Sequence, residues 1–288
     1  MDSSTSHLVL ASDGSIDLQL HTVNSDGTWL PEQLIDYLLA DHFALAAITD
    51  HDRIDTAIPL QALATAKRFP LLVAAEISAA WRGKATDVLC YGFDPANAND
   101  LGDLTDYIAR RRRENTREVY ANLVLKGDLP PESEERDDLE VILQAPSARQ
   151  PRDLLALVRK YQPDHPSPKH LVKQAGFVPV TVDIRAVVAQ THRSGGVCLL
   201  AHPGRHDEIT FDEALLDQLR AEVAVDGLEV YYPTHSTART ARYLEYVRRH
   251  RLLMSAGSDS HSTARMPIKY PAGLCSALLG RLGIEIRP

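Results

Sequence analysis

The sequence places histidine and carboxylate side chains at the ends of several predicted strands. Residues of this kind are His21, Asp26, His51, Glu76, Asp87, His202, Asp259 and His261. Imidazoles and carboxylates bind divalent cations, and a buried cluster of carboxylates with few compensating cations would be strongly destabilising. A set without thiolates favours Mn, Fe or Zn at a catalytic site over a structural zinc site. The residue types therefore predict a centre for divalent metal ions.

The elements that must position these side chains follow from hydrophobic patterning. Strands are predicted near residues 16–20, 44–48, 71–75, 87–91, 197–201, 228–231 and 252–256. Helices are predicted near residues 31–43, 56–69, 184–194, 212–221 and 237–250. Seven strands with helical crossovers imply an α/β fold with a mostly parallel sheet, most simply closed as a barrel. Because barrel enzymes build their sites at the carboxyl ends of strands, we expect the side chains above to converge there.

The segment between the fourth and fifth strands, residues 99–180, has a different character. It contains four consecutive arginines at 110–113, an acidic stretch at 132–140 and many prolines, with helical patterns and no convincing strand. We interpret it as a helical insertion subdomain, which leaves residues 16–98 and 181–288 to the barrel. Residues 1–15 are mostly polar and aperiodic, so we expect a flexible N-terminal arm.

Composition excludes several classes of protein. The chain has 288 residues, 44% of them hydrophobic, and a formal net charge of −8, which is typical of a globular protein without a broad cationic face. We therefore expect no long nucleic acid as a partner. The sequence has no apolar run of the roughly 18 residues that a membrane span needs and no signal peptide at its start, so we expect a cytoplasmic protein that does not bind membranes. Cys90 and Cys198 lie in apolar strand-like segments and are interpreted as packing residues.

Most of the site residues belong to sequence motifs that occur in a known order. The motifs are Asp17-Leu18-Gln19-Leu20-His21-Thr22 with Ser25-Asp26-Gly27, Thr49-Asp50-His51-Asp52, Ala201-His202-Pro203-Gly204, Gly227-Leu228-Glu229-Val230-Tyr231 and Gly257-Ser258-Asp259-Ser260-His261. Together they resemble the successive motifs of the PHP (polymerase and histidinol phosphatase) phosphoesterases over about residues 16–91 and 184–261. The resemblance implies a distorted (β/α)7 barrel with a helical insertion after the fourth strand. Within the family, the sequence is most similar to stand-alone enzymes that remove phosphate from nucleoside 3',5'-bisphosphates or trim 5'-phosphorylated oligonucleotides.

The resemblance also implies how the ligands divide among two or three metal ions. The implied groups are His21, Glu76 and Asp259 for one ion, Glu76 and His202 for a second, and Asp26, His51 and His261 for a third.

Two positions depart from the family pattern. Gln19 stands where the family has the first histidine of His-x-His, and Asp87 stands where it has a histidine at the start of the fourth strand. Gln19 is either a weak metal ligand or a hydrogen-bonding neighbour of the ligands, while Asp87 can still bind a metal ion. Both changes replace an imidazole nitrogen with a side-chain oxygen as the possible donor atom, which favours Mn or Mg over Zn. Mn is the favoured ion, with Fe, Zn and Mg as alternatives.

Phosphoester hydrolysis follows from such a cluster. Cations lower the pKa of water, bind phosphoryl oxygens and offset the charge that grows in the transition state. We therefore expect His202, Glu76 and Asp259 to be catalytic, and His202, His235 or a water held by the metal could protonate the leaving group. The predicted substrate-binding residues are Arg205, His235, Arg113 and Arg117. For Arg113 and Arg117 the alternative is a solvated basic helix face.

The function expected from the sequence is hydrolysis of a small phosphorylated substrate, such as a nucleoside bisphosphate, a nucleotide or a short 5'-phosphorylated oligonucleotide. One alternative is a phosphatase of the histidinol-phosphate type. Another is a non-catalytic relative that binds metal or metabolites, in which Gln19 and Asp87 mark the loss of turnover.

Overall fold

The computed structural model describes residues 5, 7–131, 137–205 and 209–288. The strands are β1 (Val9–Ala11), β2 (Ser15–Leu20), β3 (Leu45–Ile48), β4 (Leu71–Leu72), β5 (Ala74–Trp81), β6 (Lys84–Tyr91), β7 (Val182–Asp183), β8 (Val197–Leu200), β9 (Gly227–Tyr231), β10 (Leu253–Ala256), β11 (Tyr270–Pro271) and β12 (Glu285–Arg287). The helices are α1 (Pro31–Ala40), α2 (Ala57–Ala66), α3 (Asn99–Leu125), α4 (Asp138–Gln144), α5 (Gln150–Tyr161), α6 (Pro168–Gln174), α7 (Ile184–Arg193), α8 (Glu213–Glu222), α9 (Thr237–His250) and α10 (Ser276–Arg281), and a 3₁₀ turn covers Ala272–Cys275.

The chain divides into two compact units. The first combines Met1–Thr105 with Thr181–Pro288, and the second is Asp106–Val180. The second unit lies within the predicted insertion, and its regular elements among the described residues are helices that pack around Val119, Leu123 and Val158. Residues 132–136, in the acidic stretch of that prediction, lie outside the described residues.

Three sheets form the first unit. A six-stranded sheet has the order β10-β9-β8-β6-β5-β7, a four-stranded sheet has the order β11-β2-β3-β4, and β1 pairs with β12. Parallel pairings such as β2 with β3 and β8 with β9 confirm the predicted α/β fold with parallel strands.

One part of the sheet differs from the sequence prediction. β5 and β6 form an antiparallel hairpin, and β6 is also antiparallel to β8. Arg82 and Gly83 make its turn with φ values of 51° and 74°, and two positive φ values match the twist of neighbouring strands in a two-residue turn. The predicted strand at 87–91 is therefore the second half of a longer strand that returns from β5 without a helix.

The predicted flexible arm is wrong for residues 9–11. These residues form β1, parallel to β12 at the other end of the chain, and Leu10 is buried. Burial of that apolar side chain, worth about 2 kcal/mol, favours the pairing. Residues 1–4 and 6 of the predicted arm lie outside the described part of the chain.

Two isolated bridges join the four-stranded and six-stranded sheets. Leu20 bridges to Ser260 beyond β10, and His51 bridges to Glu76 in β5. Apolar side chains such as Leu18, Leu89 and Leu199 pack in one core cluster. The bridges bring the ends of β2 and β3 to β5 and to the loop after β10, which is where the predicted site residues lie.

No helix in the described part of the chain has the length and apolar composition needed to cross a bilayer.

Candidate metal centre

Glu76 lies at the centre of the predicted site. Its side chain is fully buried, and its Oε1 lies 3.0 Å from Nε2 of His202. Its Oε2 lies 3.1 Å from Nε2 of His21 and 3.8 Å from Nε2 of His51. Oε2 also accepts a 3.0 Å hydrogen bond from Nε2 of Gln19. One carboxylate thus meets side chains from three strand ends.

Three groups of potential ligands surround this carboxylate. Within each group, one atom per residue lies within 4.8 Å of the others; the groups are His21, Glu76 and Asp259, then His21, Asp26, His51 and His261, then His51, Glu76 and Asp87. The first matches a set implied by the family resemblance, and the second contains another. The third differs from the implied pair of Glu76 and His202, because it combines Glu76 with His51 and Asp87 and does not contain His202. Their roles as metal ligands remain predictions.

The donor set fits divalent cations. The ring of His21 stacks on those of His261 and His51, with centroids 4.1 and 4.8 Å apart. Among the described residues, the buried Nδ1 atoms of His21 and His51 and Oε1 of Gln19 have no hydrogen-bond partner. Because buried polar atoms are nearly always paired, unpaired imidazole nitrogens among carboxylates indicate room for a cation.

Charge coupling within the cluster is strong. Burial disfavours the imidazolium form of His21, but Asp259 and Glu76 outweigh burial and raise its pKa well above the ordinary value. Burial opposes ionisation of Glu76, but the charges of His51, His202 and His21 hold its pKa well below the ordinary value. Protons on the imidazoles therefore balance the carboxylates in the way that bound cations would.

The pKa of Asp87 is shifted in the opposite direction to that of Asp259. Burial and then the negative charge of Glu76 raise the pKa of Asp87 to about 6. By contrast, His21 holds the pKa of Asp259 at about 2 despite burial.

Gln19 is held as a hydrogen-bond donor. Its Nε2 donates to Glu76, and its backbone carbonyl accepts from the backbone N–H of Asp259 at 3.0 Å. This geometry favours the hydrogen-bonding interpretation over direct ligation.

Other buried carboxylates shape the loops. Asp50 accepts from the backbone N–H and hydroxyl of Thr22, both at 2.7 Å, and from the hydroxyl of Ser25 at 2.8 Å. Asp17 accepts from the backbone N–H groups of Ser258 at 3.0 Å and Ile268 at 2.9 Å. These bonds fix the segments that carry Asp26 and Asp259.

Sequence reasoning missed two residues beside Asp259. Its Oδ2 accepts from the hydroxyl of Tyr232 at 2.8 Å, and Nη1 of Arg265 lies 3.4 Å away. Arg205, which was predicted, donates to the same oxygen at 2.7 Å. Tyr232 directly follows a motif and could have been found there, whereas Arg265 lies in a loop without any periodic signal. Nε1 of Trp29 donates to the hydroxyl of Ser260 at 3.0 Å and fixes this loop.

The remaining predicted substrate residues have distinct positions. Both ring nitrogens of His235 are engaged, since Nδ1 lies 3.1 Å from the carbonyl of Val230 and Nε2 accepts from the N–H of Gly204 at 3.2 Å. Burial lowers the pKa of His235 to about 4. This favours a neutral residue that positions the loop, and substrate contact remains a prediction. Arg113 and Arg117 are exposed on α3 in the second unit, and their role also remains a prediction.

Two proteins of assigned activity are similar to this chain over most of its length. No family model matches the chain. The 3',5'-nucleoside bisphosphate phosphatase of Chromobacterium violaceum is 29% identical over 260 residues, which cover 86% of this chain and 87% of that protein. The 5'-3' exoribonuclease of Salmonella typhimurium is 28% identical over 255 residues, which cover 85% of this chain and 84% of that protein.

A solved structure from Bifidobacterium adolescentis, a candidate metal-dependent phosphoesterase, superposes with a TM-score of 0.75 at 22% identity and covers 93% of this chain and 96% of that one. This likeness shows the shared fold. The ordered motifs and the similarity to the bisphosphate phosphatase and the exoribonuclease support a metal-dependent phosphoesterase of the PHP type.

Proposed function

We propose that this phosphoesterase acts on nucleoside 3',5'-bisphosphates, nucleotides or short 5'-phosphorylated oligonucleotides, with two or three divalent ions. The cluster of imidazoles and carboxylates around Glu76 carries the proposal. The bisphosphate phosphatase and the exoribonuclease described above favour this substrate class over histidinol phosphate.

The donor set supports Mn as the favoured ion. Four carboxylates and three imidazoles make up the three ligand groups, Asp26, Glu76, Asp87 and Asp259 with His21, His51 and His261. Such mixed oxygen and nitrogen donors suit Mn or Fe more than a structural zinc ion. When bound, the ions would supply Lewis-acid activation of water and charge neutralisation at the phosphoryl group. His202 would contribute its Nε2, which already faces Glu76.

Two guanidinium groups support binding of an anionic substrate. Arg205 and Arg265 both reach Oδ2 of Asp259 through Nη1, and about half of the Arg205 side chain is exposed. Each guanidinium has further N–H donors, and arginine binds phosphate through two parallel hydrogen bonds. These residues would therefore hold phosphoryl oxygens beside the metal cluster.

The sheet arrangement supports a distorted barrel around this site. The bridges from Leu20 to Ser260 and from His51 to Glu76 join the two larger sheets at two separate places. We infer that these sheets form the seven-stranded barrel implied by the sequence, with the ligands at its rim.

Arg113 and Arg117 on α3 are proposed to bind a second phosphate of the substrate. Their exposure leaves both guanidiniums accessible. Replacing both with alanine should weaken hydrolysis of a 5'-phosphorylated trinucleotide and leave hydrolysis of a mononucleotide unchanged. Equal effects on both substrates would contradict this role.

The proposed function is tested by metal analysis and a substrate panel. We expect at least one tightly bound divalent ion per chain, and phosphate release with Mn from adenosine 3',5'-bisphosphate or a short 5'-phosphorylated oligonucleotide. His202→Ala should abolish that release. His192→Ala is the matched control, because this imidazole pairs with Asp226 at 2.7 Å in an exposed contact and should not affect activity. Preferential hydrolysis of histidinol phosphate would overturn the substrate assignment, and release that survives in His202→Ala would contradict the predicted catalytic role of His202.

A further inference from the structure

His202 has a backbone conformation that residues with a side chain rarely adopt. Its φ is 24°, and it comes two residues after the end of β8. Its imidazole is buried, with Nε2 3.0 Å from Oε1 of Glu76. A left-handed conformation costs about 1–2 kcal/mol for a residue other than glycine, so the surroundings must hold it in place.

Glu229 on the neighbouring strand provides a specific contact. Its side chain is fully buried in β9, and its Oε2 accepts the backbone N–H of His202 at 2.9 Å. The parallel pairing of β8 with β9 ends at Leu200 and Leu228. The strand pairing stops where the chain turns towards Glu76. At that point the side chain of Glu229 therefore accepts the hydrogen bond of a backbone N–H that no longer has a partner strand.

The other oxygen of Glu229 faces the loop that carries Asp259. A Cβ atom placed on Gly257 would lie 2.8 Å from Oε1 of Glu229 and 2.4 Å from Cβ of Gln19. Glycine is thus required for this close approach. Glu229 contacts two of the segments that supply the predicted ligands.

We propose that Glu229 is a positioning residue that holds the turn at His202 and so aims the imidazole of His202 at Glu76. The inference rests on the proposed function in that His202 and Glu76 would share an ion. When a group that fixes the orientation of a metal ligand is removed, metal affinity typically falls by about 10–100-fold.

The test compares variants that keep or lose the hydrogen-bond acceptor. Glu229→Gln keeps an acceptor oxygen of similar reach and should bind Mn within about threefold of wild type, whereas Glu229→Met should weaken one Mn site by about 10–100-fold. Binding is measured by chelator competition on the full-length protein. The matched control is Asp226→Ala, because Asp226 accepts the backbone N–H of Cys198 at 2.7 Å near the other end of β8. This control should leave Mn affinity unchanged.

A second measurement does not depend on metal or substrate. In the metal-free protein, amide hydrogen exchange at His202 should accelerate in Glu229→Met and stay at the wild-type rate in Glu229→Gln. If Glu229→Met does not fold, Glu229→Asp replaces it, since the shorter side chain withdraws the acceptor from the N–H.

Unchanged exchange and unchanged Mn affinity in a folded Glu229→Met protein would overturn the proposal. An equal loss in Glu229→Gln would also overturn it, because the acceptor would then not be the property that matters. A wild-type protein that binds Mn but hydrolyses no phosphate ester would contradict the proposed function and leave the role of Glu229 standing.

Discussion

The regions around Glu76 and Asp50 both bury a carboxylate, but they surround it with different partners. Glu76 is completely buried and Asp50 is 1% exposed. Asp50 accepts from the hydroxyl groups of Thr22 and Ser25 and from a backbone N–H, which are all neutral donors. Glu76 instead faces three imidazoles within 3.8 Å. Burial alone therefore does not distinguish Glu76 from Asp50, whereas the titratable bases around Glu76 do, and they are the reason that we predict a metal site there.

The two kinds of carboxylate can be neighbours in the chain. His51 faces Glu76, while Asp52 on its other side accepts from the backbone N–H of Ser78 at 2.8 Å. A structural acceptor and a site residue thus alternate after β3. The comparison predicts that substitutions in this short segment separate stability from metal binding.

The largest expected effect is that of Glu76→Gln. We expect at least one bound ion to be lost and kcat to fall by roughly 10³-fold, since the cations contribute several kcal/mol to the transition state. Metal content and phosphate release measure both effects. The metal-free variant should keep the wild-type circular dichroism spectrum. If Glu76→Gln kept its full metal content, the prediction that Glu76 is the central ligand would be wrong.

Asp50→Ala should have the opposite pattern. The change leaves the N–H and hydroxyl of Thr22 and the hydroxyl of Ser25 without their acceptor, at a cost of about 3 kcal/mol in the free energy of unfolding. Urea unfolding of the metal-free protein measures this cost, and Asp50→Asn should retain part of the stability. If Asp50→Ala lost metal without losing stability, the contrast with Glu76 would fail.

The pH dependence of the metal-free protein gives a third test. Because burial and Glu76 raise the pKa of Asp87 to about 6, its protonated form stabilises the fold below the unfolded pKa, and this contribution is lost as pH rises through about 6. A metal ion needs the ionised carboxylate, so Mn affinity should rise by up to about tenfold per pH unit until pH passes about 6.

The rise in Mn affinity should continue above about pH 6, because Glu76 raises the pKa of His202 although burial opposes it. Chelator competition between about pH 5 and pH 8 would follow both steps. Asp87→Asn should flatten the lower step only. A flat profile in the wild-type protein would contradict the charge coupling around Glu76.

The smallest expected effect is that of Gln19→His. The amide of Gln19 donates to Glu76 and leaves Oε1 without a partner among the described residues, so imidazole should add a ligand at this position. We expect up to about tenfold tighter binding of one ion, measured by chelator competition. Gln19→Leu should weaken binding only slightly. If Gln19→His left the affinity unchanged, the position would serve only as a hydrogen-bond partner of Glu76.

Most of the strands and the gathering of the site residues could be predicted from the sequence. Apolar segments such as 197–201 identified strands, and the ends of parallel strands meet at one edge of a sheet. The same reasoning predicted that Glu76 and His202 converge.

The remaining features depend on contacts that local patterns do not encode. The pairing of β1 with β12 joins the two ends of the chain, and the hairpin of β5 and β6 depends on a turn at Arg82 and Gly83. The engagement of both nitrogens of His235 and the approach of Arg265 to Asp259 follow from loop geometry. Sequence reasoning could predict which residues lie close together, but not which of their atoms already have hydrogen-bond partners.

The fluorescence of the Trp29 indole can report on the predicted metal centre. Trp29 donates to Ser260, which lies between Asp259 and His261, whereas Trp81, the only other tryptophan, donates to Glu222 at 3.0 Å. Fluorescence from a Trp81→Phe protein would therefore arise at a single place beside the predicted ligands Asp259 and His261. Titration with Mn should quench that emission, so occupancy of the centre can be followed in real time without a label.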